Sequence, residues 1–208
     1  MTSTRWPLGI CRLAWPTDLG TAAREAARLR FAHLDVFADD PDPGLLPTGV
    51  RLSRTPRAGC AWPAPPRGAD RDAEIDRLRR IADPYVEPWA GSLFGDDDAV
   101  RDLVARVPAV RVVVDTGHVT AWGGDLGALL PLAHHVQLRQ AAPGRAQLPA
   151  DRGTVDFAAV FAVLERCRYD GLLSIEYFDL PRLGWPLTDP VGHAVQLAEH
   201  VRPMLQLR

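Results

Sequence analysis

Apolar and polar positions change period along the chain, and the changes mark alternating strands and helices. Leu8 to Ala14 is a short apolar run, and Thr17-Asp18 then opens an Ala-rich helical stretch to Arg30. Phe31 to Phe37 reads as a second strand and Val50 to Thr55 as a third, separated by a Pro- and Asp-rich loop from Ala38 to Gly49. Pro56, Pro63, Pro65 and Pro66 prevent long regular structure through Gly68. Asp70 to Ala82 is helical, with Ile75, Leu78 and Ile81 on one face. Tyr85 to Trp89 is a short strand. Asp96 to Arg106 is a helix opened by three Asp residues, which suit its positive N-terminal end.

The second half is more sharply patterned. Val110 to Val114 is a β-branched run, as a strand covered on both faces requires. A short helix follows at Asp125 to Leu132, then a strand at His135 to Leu138 and a loop from Ala141 to Thr154. Asp156 to Cys167 is a helix with Phe157, Val160, Phe161 and Leu164 inward. Gly171 to Ile175 is a strand. Asp189 to Leu207 closes the chain as a helix, with a break expected near Pro203.

Strands and helices alternating at this spacing imply an α/β protein with a parallel sheet, in one domain over residues 1–208. The first turn, Ala14-Trp15-Pro16-Thr17, lacks the glycines of a dinucleotide-binding sheet. Polar residues stand instead at the C-terminal ends of several strands, where a (β/α) TIM-type barrel builds its site.

Composition narrows the chemistry. The chain has 208 residues, a net charge of -2 and 24 cationic side chains, all of them Arg. Without Lys there is no Schiff-base chemistry by a lysine amine. The charge balance gives no reason to expect nucleic-acid binding. Cys11, Cys60 and Cys167 are scattered and odd in number, which fits free buried thiols better than disulfides. No segment resembles a signal peptide or the roughly 20 apolar residues of a membrane span. A cytoplasmic protein that binds no membrane is the expectation.

Three strand ends carry candidate chemistry. In Val112-Val113-Val114-Asp115-Thr116-Gly117-His118, a carboxylate ends a buried strand. A buried Asp needs a metal, a cation or several donors; it either touches a metal or substrate or caps the following turn. In His134-His135-Val136-Gln137-Leu138, period two puts His135 and Gln137 on one face. Gln137 is either a ligand for a hard metal or a satisfied core amide. Glu176 closes Gly171 to Ile175, and Glu87 repeats that pattern in Tyr85-Val86-Glu87-Pro88-Trp89. Each Glu is either a site residue or half of a buried pair with Arg.

Val114-Asp115-Thr116-Gly117-His118, His135-Val136-Gln137-Leu138, Pro143-Gly144-Arg145, Val155-Asp156-Phe157 and Tyr169-Asp170-Gly171 through Ser174-Ile175-Glu176-Tyr177 together resemble the C-terminal half of the xylose-isomerase-like barrels. The local pattern is most similar to hydroxypyruvate isomerases, which also have Gln at the position of Gln137 followed by Pro-Gly-Arg. The resemblance implies one divalent metal ion held by Glu87, Asp115, Gln137 and Glu176. Hard ligands favour Mg²⁺ or Mn²⁺, with Co²⁺ or Zn²⁺ as alternatives. It implies an isomerase or epimerase acting on a small sugar-like substrate by proton transfer through a cis-enediolate. Glu87 and Glu176 would be the acid–base pair, and His118 and Arg145 would face substrate oxygens. Trp15, Trp89, Trp122 and Tyr177 are candidate walls for the sugar.

Family barrels run to about 250 residues. The shortfall here falls between Val50 and Tyr85, so a barrel shortened or incomplete in its first half is expected. Strand two ends Leu34-Asp35-Val36 where relatives often have Glu, and Arg139-Gln140 follows Gln137 where an acid is usual. A homodimer covering an open barrel edge fits that reading. Two other functions are open: a degenerate or repurposed barrel, and an endonuclease IV-like phosphodiesterase.

Overall fold

In a computed structural model, residues 6–36, 50–53, 64–181 and 184–205 are described. The strands are β1 (Leu8–Cys11), β2 (His33–Asp35), β3 (Arg51–Ser53), β4 (Tyr85–Val86), β5 (Arg111–Asp115), β6 (Ala133–Leu138) and β7 (Leu172–Ile175). The helices are α1 (Leu19–Arg28), α2 (Arg71–Arg79), α3 (Asp97–Arg106), α4 (Thr116–Trp122), α5 (Leu126–Leu129), α6 (Phe157–Arg166) and α7 (Pro190–Leu205). Asp side chains start most of them. Asp18, Asp70, Asp96 and Asp156 each accept a backbone N–H in the first turn, which satisfies donors that a helix start leaves unpaired.

The strands form one parallel sheet in the order β3-β2-β1-β7-β6-β5-β4. This is the strand order of a barrel cut between β3 and β4, a shortened and incomplete TIM-type barrel. The Pro-rich stretch expected to disrupt the first half falls largely at residues 54–63, outside the described residues, as does most of the loop from Ala38 to Gly49. No helix is long and apolar enough to cross a membrane among the described residues.

Period two divides each strand between two environments. Ile10, Leu34, Val112, Val114, Val136, Leu138, Leu173 and Ile175 pack with helical residues such as Ala22, Val160, Leu164 and Leu197 in the main core. The alternate positions His33, Asp35, Asp115, His135, Gln137 and Ser174 are buried too, but polar, and face the barrel interior. A second, smaller core gathers Ile75 and Leu78 of α2, Val86 of β4, and Leu103 of α3 around Phe94.

Two elements differ from expectation. Helix α4 starts directly at the end of β5, although Gly117 and the β-branched Thr116, Val119 and Thr120 are poor helix formers. Asp115 overrides that propensity by accepting the Gly117 and His118 N–H groups. The expected break near Pro203 does not occur, and α7 runs through it to Leu205. Pro203 sits in the last turn, where losing one backbone hydrogen bond costs little. Of the cysteines, Cys11 is buried and free, Cys167 is free but exposed, and Cys60 lies outside the described residues.

Candidate functional site

Asp115 ends β5, whose pairing with β6 shifts register earlier in the strand, between Val112 and Val113. The ladder then pairs Asp115 with Gln137, and Gln137 with Ser174 of β7. This register sets the strand ends side by side. Glu176 follows β7 directly, and Glu87 follows β4. All four residues expected around a metal are at most 6% exposed.

The structure brings Glu87, Asp115 and His118 together, each offering one ligand atom within 4.8 Å of the others. His118 Nε2 lies 3.7 Å from Glu87 Oε1. Gln137 and Glu176 lie on the other side and bond to one another, Gln137 Nε2 donating to Glu176 Oε1 at 3.1 Å. Between the two groups stands a residue that sequence reasoning passed over. Arg139 is completely buried, and its Nη2 donates to Asp115 Oδ2 and lies 3.1 Å from Glu176 Oε2. Its Nε donates to Asp115 Oδ1 at 3.3 Å. The signal was the period of the strand: His135, Gln137 and Arg139 share one face.

Asp115 is therefore engaged through both oxygens. Oδ1 accepts from Gly117 N at 2.6 Å, His118 N at 3.3 Å and Arg139 Nε, while Oδ2 takes Arg139 Nη2. The helix cap and the buried Arg pair, both open in the sequence, coexist here. In this arrangement a guanidinium nitrogen bridges Asp115 and Glu176.

Electrostatics follow from burial and this one cation. Burial and the neighbouring Asp115 charge push the Glu176 carboxyl up to about 8, against the pull of Arg139. Burial, with Glu176 and Asp115 nearby, also raises Glu87 well above the usual range. Burial works against the Asp115 carboxylate as well, but Arg139 outweighs it and the net shift is downward. Burial lowers His118 to about 3, so its ring is neutral at physiological pH. Deeper in the interior, Asp35 lies 2.9 Å from His135 Nε2 and 3.6 Å from His33 Nε2. Ser174 Oγ stands 3.1 Å from the His135 nitrogen and 3.2 Å from the His33 nitrogen. Asp35, the shorter acid of strand two, is thus held by the imidazoles.

The remaining expected substrate contacts lie elsewhere. Arg145 is exposed on the turn that joins Ala142 to Arg145. Trp15 packs in the main core. The Trp122 indole donates to Asp97, and the Trp89 indole to the Ala64 carbonyl. Tyr177 is fully buried; its hydroxyl accepts the Gln140 N–H and its ring lies against His193 of α7. The aromatic rings that do meet the cluster are Trp185, 5.5 Å from the His118 ring, and Phe178, whose ring lies 5.1 Å from the Arg139 guanidinium carbon. Trp185 belongs to a short antiparallel bridge with Leu180 in a Pro-rich segment that carries no periodic signal.

The fold is shared with solved structures. A xylose isomerase-like TIM barrel protein from Mycobacterium smegmatis in complex with magnesium is 15% identical, covers 99% of each chain and gives a TM-score of 0.71. D-allulose 3-epimerase from Methylomonas sp. in complex with D-allulose is 16% identical, covers 98% of each chain and gives 0.69. An AP endonuclease of family 2 from Brucella melitensis is 19% identical, covers 94% of this chain and 98% of that one, and gives 0.62. No curated protein sequence matches the chain. The family model described as xylose isomerase-like TIM barrel matches residues 57–203, a span that contains the whole carboxylate cluster, and the chain belongs to that family.

Proposed function

We propose that the chain is an isomerase or epimerase that moves a proton at the carbon beside the carbonyl of a small sugar-like compound. The observation that carries this reading is the pair of buried carboxyls, Glu87 and Glu176, both shifted toward neutral pH in the barrel interior. A general base works best with a pKa near the operating pH, and a carboxyl at about 8 has been moved into that range. The D-allulose 3-epimerase neighbour handles a sugar of the proposed class.

In this mechanism ionised Glu176 takes the proton from the carbon. The C–H electron pair moves into the new C=C bond, and the carbonyl electrons move onto oxygen, giving the enediolate. The neutral His118 ring and the Arg139 guanidinium donate to that oxygen as its charge grows. Protonated Glu87 returns a proton to the opposite face of the same carbon for epimerisation; for isomerisation the proton goes to the former carbonyl carbon, while the neighbouring hydroxyl passes its proton to the enediolate oxygen and becomes the new carbonyl. Glu176→Gln is expected to abolish turnover of ketoses such as D-allulose and of hydroxypyruvate while leaving the circular dichroism spectrum unchanged. Turnover retained in that variant overturns the assignment.

A second reading, a repurposed barrel that binds without turning over, is favoured by one observation: every member of the cluster is nearly excluded from water. Saturable sugar binding with no proton exchange by the unmodified chain selects it. The phosphodiesterase reading calls for a cluster rich in His, whereas Glu87 and Asp115 are grouped with a single His, His118, and His33 and His135 lie on Asp35 instead.

A further inference from the structure

We propose that Arg139 is a tethered cation that takes the place of the divalent ion, so that this barrel's carboxylate centre is built to operate without bound metal. The inference stands whether or not the chain turns over a sugar, because it concerns what neutralises the centre.

The guanidinium occupies a position made for it. Its Nε and Nη2 form a fork on both oxygens of Asp115, and Nη2 reaches Glu176 as well. A planar fork matches a carboxylate in a way that a lysine ammonium does not. The backbone of Arg139 is pinned from both sides by one hydroxyl: Thr116 Oγ1 donates to its carbonyl at 3.0 Å and accepts its N–H at 2.9 Å. Gly117 leaves the room. A Cβ there would stand 2.8 Å from Arg139 Nε and 3.0 Å from its Cγ. Phe178 supplies an aromatic face 5.1 Å from the charge. Five separate neighbours thus shape a socket around one side chain, which a stray surface arginine does not have.

The same geometry leaves little for a metal. A Mg²⁺ ion sits about 2.0–2.1 Å from each ligand oxygen. An ion shared by Asp115 and Glu176 would coincide with Nη2. An ion held only by Glu87, Asp115 and His118 would compete with the N–H donors already on Asp115. It would also face a fixed positive charge in a medium that screens poorly.

What Arg139 offers in exchange is a donor. Its Nη1 is buried and has no hydrogen-bond partner, as are Gln137 Oε1 and His118 Nδ1. A charged N–H donor left open beside two acid–base carboxyls suits an oxygen that gains negative charge, such as that of a carbonyl becoming an enediolate, or a carboxylate.

The test is direct binding of Mn²⁺ to chelator-stripped protein without substrate, read by the electron paramagnetic resonance of free Mn²⁺ and by calorimetry. The unmodified chain is expected to bind no stoichiometric Mn²⁺. Arg139→Met frees Asp115 and removes the charge, and is expected to tighten Mn²⁺ binding at least about tenfold. Its thermal midpoint should rise with added Mn²⁺ while that of the unmodified chain does not. Arg139→Lys keeps the charge without the fork; it should remain a poor binder and serves if the Met variant fails to fold. Stoichiometric binding by the unmodified chain that is lost in Asp115→Asn overturns the proposal. So does a folded Arg139→Met that gains no affinity. Both results are independent of turnover, so failure here and failure of the proposed reaction are separable.

Discussion

The two halves of this barrel are built to different standards. In the second half, β5, β6 and β7 span five, six and four residues, pair side by side with one register shift between Val112 and Val113, and lie on the main core. In the first half, β2, β3 and β4 span three, three and two residues, and β3 and β4 end the sheet without pairing to one another. Asp115, Gln137, Arg139 and Glu176 all come from the stronger half. Glu87 alone comes from the weaker one, carried by the edge strand β4 on the smaller core. The comparison teaches that the site has a rigid side, which positions charge from the longer strands, and a side that hangs one acid, Glu87, on a two-residue edge strand.

The largest effect should come from breaking that contrast in the core. Leu164 of α6 and Leu78 of α2 are both fully buried, the first in the main core and the second in the smaller one. Leu164→Ala is expected to cost about 4 kcal/mol of global stability, and Leu78→Ala about 2 kcal/mol. Leu78→Ala should also speed amide exchange around Glu87 without affecting β6. Denaturant titration with hydrogen-exchange mass spectrometry checks both, and equal global losses would erase the distinction between the cores.

Next is a pH effect on the rigid side. The folded-state value of Glu176, about 8, lies above its ordinary 4.5, so folding favours the protonated form. Its contribution is complete below 4.5 and is lost as pH rises through about 8. Stability should fall on the order of a few kcal/mol over that window. Glu176→Gln cannot ionise and should flatten the part of the profile that Glu176 causes, in thermal melts from pH 5 to 9. A slope unchanged by the substitution removes Glu176 as its source.

A smaller contrast concerns two glycines. A Cβ at Gly117 would meet the Ala146 carbonyl oxygen at 2.2 Å and crowd Arg139, whereas Gly68 in the weaker half has nothing within 4 Å. Gly117→Ala is expected to cost about 1–3 kcal/mol, Gly68→Ala to stay within about 0.5 kcal/mol of the unmodified chain. Similar losses at both positions would mean that the socket around Arg139 is not tight.

Sequence patterning recovered the second half nearly strand for strand, because β-branched runs and period two are strong signals in strands buried on both faces. It also located Asp115, Gln137 and Glu176 at strand ends. It missed α4, since the residues at 116–122 have weak helix propensity and only the Asp115 cap reveals the start. It could not sort the aromatic residues, because a Trp or Tyr in a core and one in a pocket read alike: Trp15 and Tyr177 pack in the main core, while Trp185 and Phe178 meet the cluster. Arg139 was passed over because arginine is ordinarily a surface residue. Only the partners contributed by β5 and β7, distant in sequence, explain its burial.

The account rests on a carboxyl pair that moves a proton beside a carbonyl with Arg139 as the resident cation. The most direct test is incorporation of solvent deuterium into D-allulose or hydroxypyruvate by chelator-treated protein, followed by nuclear magnetic resonance. The account predicts exchange at the carbon beside the carbonyl by the unmodified chain without added metal, and none by Glu176→Gln. Exchange that appears only on adding a divalent ion, or that persists in Glu176→Gln, would contradict it.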